Sequence, residues 1–110
     1  MRAYLIDEIP APDVKKLRDF LHQNTIPSEL GSLYWVPMPQ DLLSKIQYQH
    51  SECQPFVFAV ELGQDWMKLE LFIRTLAGMG CECQGYCTSQ QRDFVINFTH
   101  KILEDLNVRT

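Results

Sequence analysis

The chain lacks any apolar run approaching the roughly 20 residues that a membrane-spanning helix needs. Its first segment, MRAYLIDEIPAPD, offers only AYLI before two acidic residues, which is too short for the apolar region of a signal peptide. These absences predict a cytoplasmic protein that is not embedded in a membrane. Because thiols stay reduced in the cytoplasm, we expect the four cysteines to be free, buried or metal-bound rather than paired in disulfides.

Clustered positive charge is also missing. Ten Lys and Arg stand against fourteen Asp and Glu, which gives a net charge of −4, and the basic residues are scattered along the chain. Affinity for nucleic-acid backbones comes from grouped cations that displace counterions. The charge pattern therefore argues against nucleic-acid binding as the main role.

Familiar catalytic motifs are absent too. The sequence contains no P-loop, no dinucleotide-binding G-x-G-x-x-G, no G-x-S-x-G and no H-E-x-x-H. Asp7 and Glu8 are adjacent at the end of the first predicted strand, so they point to opposite faces and form a poor carboxylate pair. The sequence consequently favours a protein without catalytic activity.

What is present is the composition of a folded domain. The chain has 110 residues, of which 45% are apolar and 22% charged, and these values are typical of globular proteins. It carries no internal repeat, low-complexity tract or linker. We expect a single globular domain over residues 1–110, built around one core.

The alternation of strand-like and helix-like segments predicts the order β-α-β-α-β-β-(β)-α. The segments are RAYLIDEI, PDVKKLRDFLHQ, SLYWV, PQDLLSKIQYQHSEC, a hairpin in QPFVFAVELGQDWMKLELFIRT, a short strand in CECQGYC, and a final helix in TSQQRDFVINFTHKILEDLNV. Two helical crossovers would make the first three strands mostly parallel. The expected fold is α+β, a two-layer sandwich of a mixed four- or five-stranded sheet and three helices, with one sheet face left open.

Three of the four cysteines fall within CECQGYC. In an extended segment Cys81 and Cys83 would project from the same face. His50 and Cys53 are three positions apart on the second predicted helix and share its core-facing side. The pattern is compatible with a zinc site built from His50, Cys53 and two of Cys81, Cys83 and Cys87, although C-x-C is not a familiar zinc spacing.

Two other interpretations of these cysteines stay open. Free cysteine is among the most buried residue types, so the segment is also explained as a strand with small core side chains. A thiol enzyme is the third interpretation, because Cys87 precedes the last helix and Arg92 follows one turn later, which would lower the pKa of its thiol.

One side of the hairpin is the second candidate site. Six charged or aromatic residues are expected to share it: Glu61, Trp66, Lys68, Glu70, Phe72 and Arg74. Cross-strand charge pairing on a solvated sheet surface is the ordinary explanation. Aromatic and Arg side chains are also the usual anchors of interfaces, which favours a surface for a protein partner or for a second copy in a homodimer.

The segment LYWVPMP is the third candidate. Tyr34, Trp35 and Met38 could line a pocket at the end of the second strand, where prolines make the exit rigid, although core packing is the commoner fate of such residues. Taken together, the sequence favours a small cytoplasmic, non-catalytic interaction module without a cofactor. The alternative is a zinc-binding domain in which the metal has a structural or sensing role.

Overall fold

A computed structural model describes residues 2–77 and 80–110 of the chain. It contains seven strands and three α-helices among these residues. In chain order they are β1 (Ala3–Ile6), α1 (Ala11–Asn24), β2 (Ile26–Pro27), β3 (Leu33–Pro37), α2 (Lys45–Gln49), β4 (Phe56–Leu62), β5 (Met67–Glu70), β6 (Phe72–Thr75), β7 (Gly85–Tyr86) and α3 (Ser89–Asp105). Short 3-10 turns flank α2 on both sides, at Gln40–Leu42 and Ser51–Cys53.

The strands form one sheet in the order β1-β5-β4-β3-β2, with β6 beside β4 and β7 beside β6. Each described pairing is antiparallel. The α+β class is confirmed, but the prediction of a mixed sheet with four or five strands was wrong. The reason is that β1 pairs with β5 rather than with β3, and that β3 and β4, which the short α2 connects, lie side by side as an antiparallel pair.

The hairpin is formed by β4 and a second arm, which consists of β5 and β6 and is interrupted at Leu71. Val60 pairs with Leu69 before the break and Val57 pairs with Arg74 after it, so the second arm carries extra residues between two matched pairs. Such an irregularity bends and twists a strand. The outer edge of this arm pairs with β1 before the break and with β7 after it, which brings the cysteine-rich segment beside the sheet.

The core lies between one face of the sheet and the two long helices. Helix α1 buries Val14, Leu17 and Leu21, and α3 buries Val95 and Ile102. On β4 the alternate residues Phe56, Phe58, Val60 and Leu62 belong to this core. The Phe58 ring meets those of Phe94 and Phe98 edge-on, at centroid distances of 6.3 and 5.6 Å. No helix in the described ranges is both long and apolar enough to cross a bilayer.

The second predicted helix is much shorter than expected. Ser44 begins α2 with a capping box, in which its hydroxyl accepts from the backbone N–H of Gln47 and the Gln47 side chain accepts from the backbone N–H of Ser44. This local motif starts a new helix at Lys45, so the residues before it form a separate 3-10 turn. The chain leaves α2 at His50 and makes a second 3-10 turn ahead of Pro55.

Candidate metal centre

Four side chains converge beside the core, at the point where the turn after α2 meets the loop before β7. They are His50, Cys53, Cys81 and Cys83, and their ligand atoms all lie within 4.8 Å of one another. Cys81 is at the centre of the group. Its Sγ lies 3.2 Å from His50 Nδ1, 3.5 Å from Cys53 Sγ and 2.7 Å from Cys83 Sγ.

His50 and Cys53 are aligned by the 3-10 turn between them. The backbone N–H of Cys53 donates to the His50 carbonyl oxygen at 2.9 Å. In a 3-10 turn the side chains at positions i and i+3 lie above one another, so the pair faces one point. The Thr75 hydroxyl, at the end of β6, donates to the Cys53 carbonyl oxygen and fixes the turn from the other side.

Cys81 and Cys83 come together through a tight turn and not through the extended strand that we expected. The backbone N–H of Gln84 donates to the Cys81 carbonyl oxygen at 3.3 Å, and the strand β7 begins only at Gly85. Gly80 has a φ of +75°, a left-handed conformation that glycine adopts without strain as the chain enters this turn. The turn also lets the Cys83 backbone N–H donate to Cys81 Sγ at 3.4 Å.

The electrostatics of the group favour a negative charge on Cys81. Hydrogen bonds from the Cys83 thiol and then from the Cys83 backbone N–H lower the pKa of Cys81 to about 7. Burial raises the pKa of Cys83 to about 12. The hydrogen bond with Cys81 raises the pKa of Cys53. Without a cation, the cluster thus holds its first negative charge on the central sulfur and keeps the other two thiols protonated.

These four ligand atoms are of the kinds that a zinc site uses. Zn²⁺ is held tetrahedrally by Cys sulfur at about 2.3 Å and His nitrogen at about 2.0 Å, so its ligand sulfurs stand about 3.7 Å apart. The atoms of the cluster lie within 4.8 Å of one another, and the sulfurs of Cys81 and Cys83, which are 2.7 Å apart, would move apart by about 1 Å around an ion. All four cysteines are free thiols, so none of the sulfurs is blocked by a disulfide.

Cys87, the fifth residue of the predicted site, lies outside this group. Its backbone N–H donates to Leu71 at 3.1 Å, which extends the pairing of β7 along the second hairpin arm. Burial and then the charge of Glu70 raise the pKa of the Cys87 thiol to about 11, and the opposing effect of Arg92 is smaller. A protonated thiol is a poor nucleophile at neutral pH, so this raised pKa argues against the interpretation of Cys87 as a catalytic thiol.

The supporting residues Gln47 and Thr75 were missed by the sequence analysis. Gln47 is buried and its amide nitrogen donates to the Cys83 carbonyl oxygen at 3.1 Å. A signal for Gln47 does exist in the sequence, because Ser44-Lys45-Ile46-Gln47 has the Ser-x-x-Gln pattern of a capping box. Thr75 carries no comparable pattern, since its contact with Cys53 depends on the pairing of β6 with β4.

The hairpin face, comprising Glu61, Trp66, Lys68, Glu70, Phe72 and Arg74, lies on the side of the sheet away from the core. It is organised as two ion pairs, each with an aromatic ring. Lys68 Nζ lies 3.4 Å from Glu61 and 5.8 Å from the Trp66 ring centroid. Arg74 makes two hydrogen bonds to Glu70, at 2.7 and 3.0 Å, and its guanidinium lies 5.0 Å from the Phe72 ring centroid.

Tyr34, Trp35 and Met38 do not line one common pocket. Tyr34 and Trp35 are successive residues of β3 and therefore point to opposite faces of the sheet. Tyr34 and Met38 are buried in the core. Trp35 is partly exposed and pairs with Ala59 on the sheet face that points away from the core. Tyr34 borders a cavity of about 350 Å³ with residues of α1, and Met38 borders a different cavity of about 190 Å³.

Comparison with known proteins identified no relative of this chain. No protein-family model, curated protein or solved structure matches the chain. The cluster of His50, Cys53, Cys81 and Cys83 is therefore interpreted from its own geometry and chemistry.

Proposed function

We propose that this chain binds one Zn²⁺ through His50, Cys53, Cys81 and Cys83. The single observation that carries the proposal is the convergence of four ligand atoms, within 4.8 Å of one another, from two segments of the chain. Cys53 and Cys81 are 28 positions apart, and His50 and Cys81 are 31 apart. Sequence proximity accounts for neither contact, since the sheet and the two turns are needed to make them.

The donor set is the reason for choosing zinc. Three thiolates and one imidazole are soft or borderline ligands, which suit Zn²⁺ and disfavour Mg²⁺ and Ca²⁺, cations that require oxygen ligands. Two sulfurs are only partly buried and one is buried, so an ion would lie at the edge of the apolar core, where little water competes for it.

A structural role fits the site better than a catalytic one. Four protein ligands complete a tetrahedral zinc ion and leave no position for water or a substrate. The ion would join the turn after α2 to the loop before β7, two short segments that have few regular hydrogen bonds of their own. We therefore propose a non-catalytic domain whose fold zinc stabilises, acting in the reducing cytoplasm expected from the sequence.

Titration of the reduced, metal-free chain with Co²⁺ and then Zn²⁺ tests this proposal. Tetrahedral Co²⁺ bound by thiolates gives intense visible bands together with sulfur-to-metal charge-transfer absorption. We expect these bands to saturate at one Co²⁺ per chain and to disappear when Zn²⁺ displaces it. Absence of both bands, with no heat of binding for Zn²⁺, would overturn the proposal.

We propose self-association through the hairpin face as a second candidate function. Leu5 on β1 stands directly opposite Lys68 and is 54% exposed, which places an apolar side chain beside the aromatic and charged residues of this face. The face carries two anions and two cations, Glu61, Glu70, Lys68 and Arg74. A two-fold axis that turns the face onto itself can therefore bring opposite charges together, which favours a homodimer over an unrelated partner.

A further inference from the structure

Two buried glutamines connect the metal centre to the starts of two helices. Gln47 is 3% exposed and Gln91 is fully buried. Glutamine is mostly found at the surface, and a buried amide must have hydrogen-bond partners to offset its lost hydration. In the described part of the chain, every buried side-chain nitrogen and oxygen has such a partner.

The partners of Gln47 determine which way its amide points. Its Oε1 accepts from the backbone N–H of Ser44 at 3.0 Å and from Nε2 of Gln91 at 2.9 Å. With two donors aimed at the oxygen, the amide nitrogen is directed toward the Cys83 carbonyl oxygen, to which it donates at 3.1 Å. A flipped amide would set N–H groups against both donors and leave the carbonyl facing an acceptor.

Gln91 is held by the same kind of arrangement at the start of α3. Its Oε1 accepts from the backbone N–H of Thr88 at 3.0 Å, and its Nε2 donates to the Leu42 carbonyl oxygen as well as to Gln47. Each glutamine is thus the third residue of its helix and part of a capping box. Its side-chain oxygen accepts from the backbone at the helix start, so its side-chain nitrogen is free to donate to groups outside the helix.

We propose that Gln47 is a positioning residue for the metal centre, an inference that rests on the proposed zinc function. Its N–H group fixes the carbonyl of Cys83, and the peptide that follows Cys83 is part of the turn that presents both Cys81 and Cys83. Gln91 acts one step further away, because it sets the orientation of the Gln47 amide. Groups that orient metal ligands in this way typically change metal affinity by about 10–100-fold when they are replaced.

Two replacements of Gln47 separate the lost hydrogen bond from side effects. Gln47→Met has similar length and no charge but cannot donate to Cys83. Gln47→Glu keeps an acceptor for Ser44 and Gln91, and its carboxylate form also lacks the donor. Thr99→Val is the control for general loss of stability, because Thr99 is fully buried in α3 and its hydroxyl donates to Val95, away from the cluster.

The experiment measures Zn²⁺ affinity by competition with a chromophoric chelator, and the visible spectrum of the Co²⁺ form, for all four proteins. We expect both Gln47 variants to bind Zn²⁺ about 10–100-fold more weakly than the wild type and to show shifted Co²⁺ bands. Thr99→Val should lower the melting temperature of the metal-free chain and leave the affinity and the spectrum unchanged.

The outcomes distinguish this inference from the function on which it rests. A wild-type chain that binds neither metal overturns the zinc proposal, and the role of Gln47 falls with it. A wild type that binds Zn²⁺, with folded Gln47→Met binding equally well and with an unshifted Co²⁺ spectrum, overturns the role of Gln47 alone. Equal losses of affinity in Thr99→Val and Gln47→Met would also overturn it, because they would reflect stability and not positioning.

Discussion

His50 Nδ1 lies 3.2 Å from Cys81 Sγ, although 31 positions separate the two residues in the chain. His50 ends α2, and Cys81 belongs to the turn that precedes β7. Their meeting requires β6 to pair with β4 on one side and with β7 on the other, since these pairings bring the cysteine turn back beside the end of α2. The contact thus links the global topology to the proposed zinc site.

Cys81→Ser should abolish tight zinc binding, because Cys81 contacts each of the other three ligands. We expect an affinity loss of more than about 100-fold, beyond the range typical of supporting residues. Cys87→Ser is the matched control, since Cys87 is in the same segment but outside the group. Isothermal titration with Zn²⁺ measures both variants, and equal affinities for the two would contradict the assigned ligand set.

Arg74→Ala should destabilise the fold more than Lys68→Ala. Glu70 is buried and accepts two hydrogen bonds from Arg74, so removing Arg74 leaves a buried carboxylate without its partner, which costs about 1.5–3 kcal/mol. The Lys68–Glu61 pair is about 40% exposed on both sides, and such pairs contribute less than about 1 kcal/mol.

Urea unfolding of the two variants measures this difference, with the midpoint and slope fitted separately. Each cation also has an aromatic neighbour, so the comparison is matched for that contact. If both variants lost the same free energy of unfolding, burial of Glu70 would not be the deciding factor.

The Cys87 thiol should stay unreactive until the pH is high. Burial raises its pKa to about 11, compared with 9.0 for an ordinary thiol, so the folded state holds the proton more tightly than the unfolded state. The unfolded chain releases that proton first as the pH rises from about 9 to 11, and stability therefore falls over this window. Below pH 9 both states are protonated and the effect is absent.

Iodoacetamide labelling followed by peptide mass spectrometry checks the reactivity of Cys87. We expect slow labelling at pH 8 and rapid labelling only near pH 11 or after unfolding. Cys87→Ala should lose less stability than the wild type between pH 9 and 11. Fast labelling of folded protein at pH 7 would refute a protonated, partly buried thiol at Cys87 and revive the thiol-enzyme hypothesis.

Leu5→Glu should weaken self-association if the hairpin face forms a homodimer. The substitution places a negative charge beside Lys68, at an exposed position of β1 where it does not disturb the core. Leu30→Glu is the control, because Leu30 is 77% exposed and belongs to the connection between β2 and β3. Sedimentation equilibrium over a range of concentrations gives the result, and a wild type that stays monomeric throughout would exclude the homodimer.

Local patterns predicted the two long helices and the hairpin well. The spacing of Val14, Leu17 and Leu21 in α1, and the capping box of Thr88 and Gln91 in α3, are signals contained within a few residues, and both helices form as expected. The alternation of β4 and β5 about their turn is local in the same way. Strand partners are not local, and for that reason the pairing of β1 with β5 was not foreseen.

The candidate site was also predicted only in part, because local patterns place only some of its residues. His50 and Cys53 are three residues apart, and a helical or 3-10 turn places them together in either case. The choice among Cys81, Cys83 and Cys87 depended on the conformation of one short segment. A strand would have held the α-carbons of Cys81 and Cys83 roughly 7 Å apart on one face. The observed turn instead brings their sulfurs to 2.7 Å and leaves Cys87 on the far side of β7.

The zinc content of the purified protein is the most direct test of the proposed zinc site. Tag-free protein, purified under reducing conditions without a chelator, would be analysed for metals by mass spectrometry, and its melting temperature compared before and after chelation. We predict about one zinc per chain and a lower melting temperature once the metal is removed, because a tightly bound ion stabilises only the folded state. A metal-free chain whose melting temperature does not change when Zn²⁺ is added would contradict a zinc-stabilised fold and would leave the four residues as core packing.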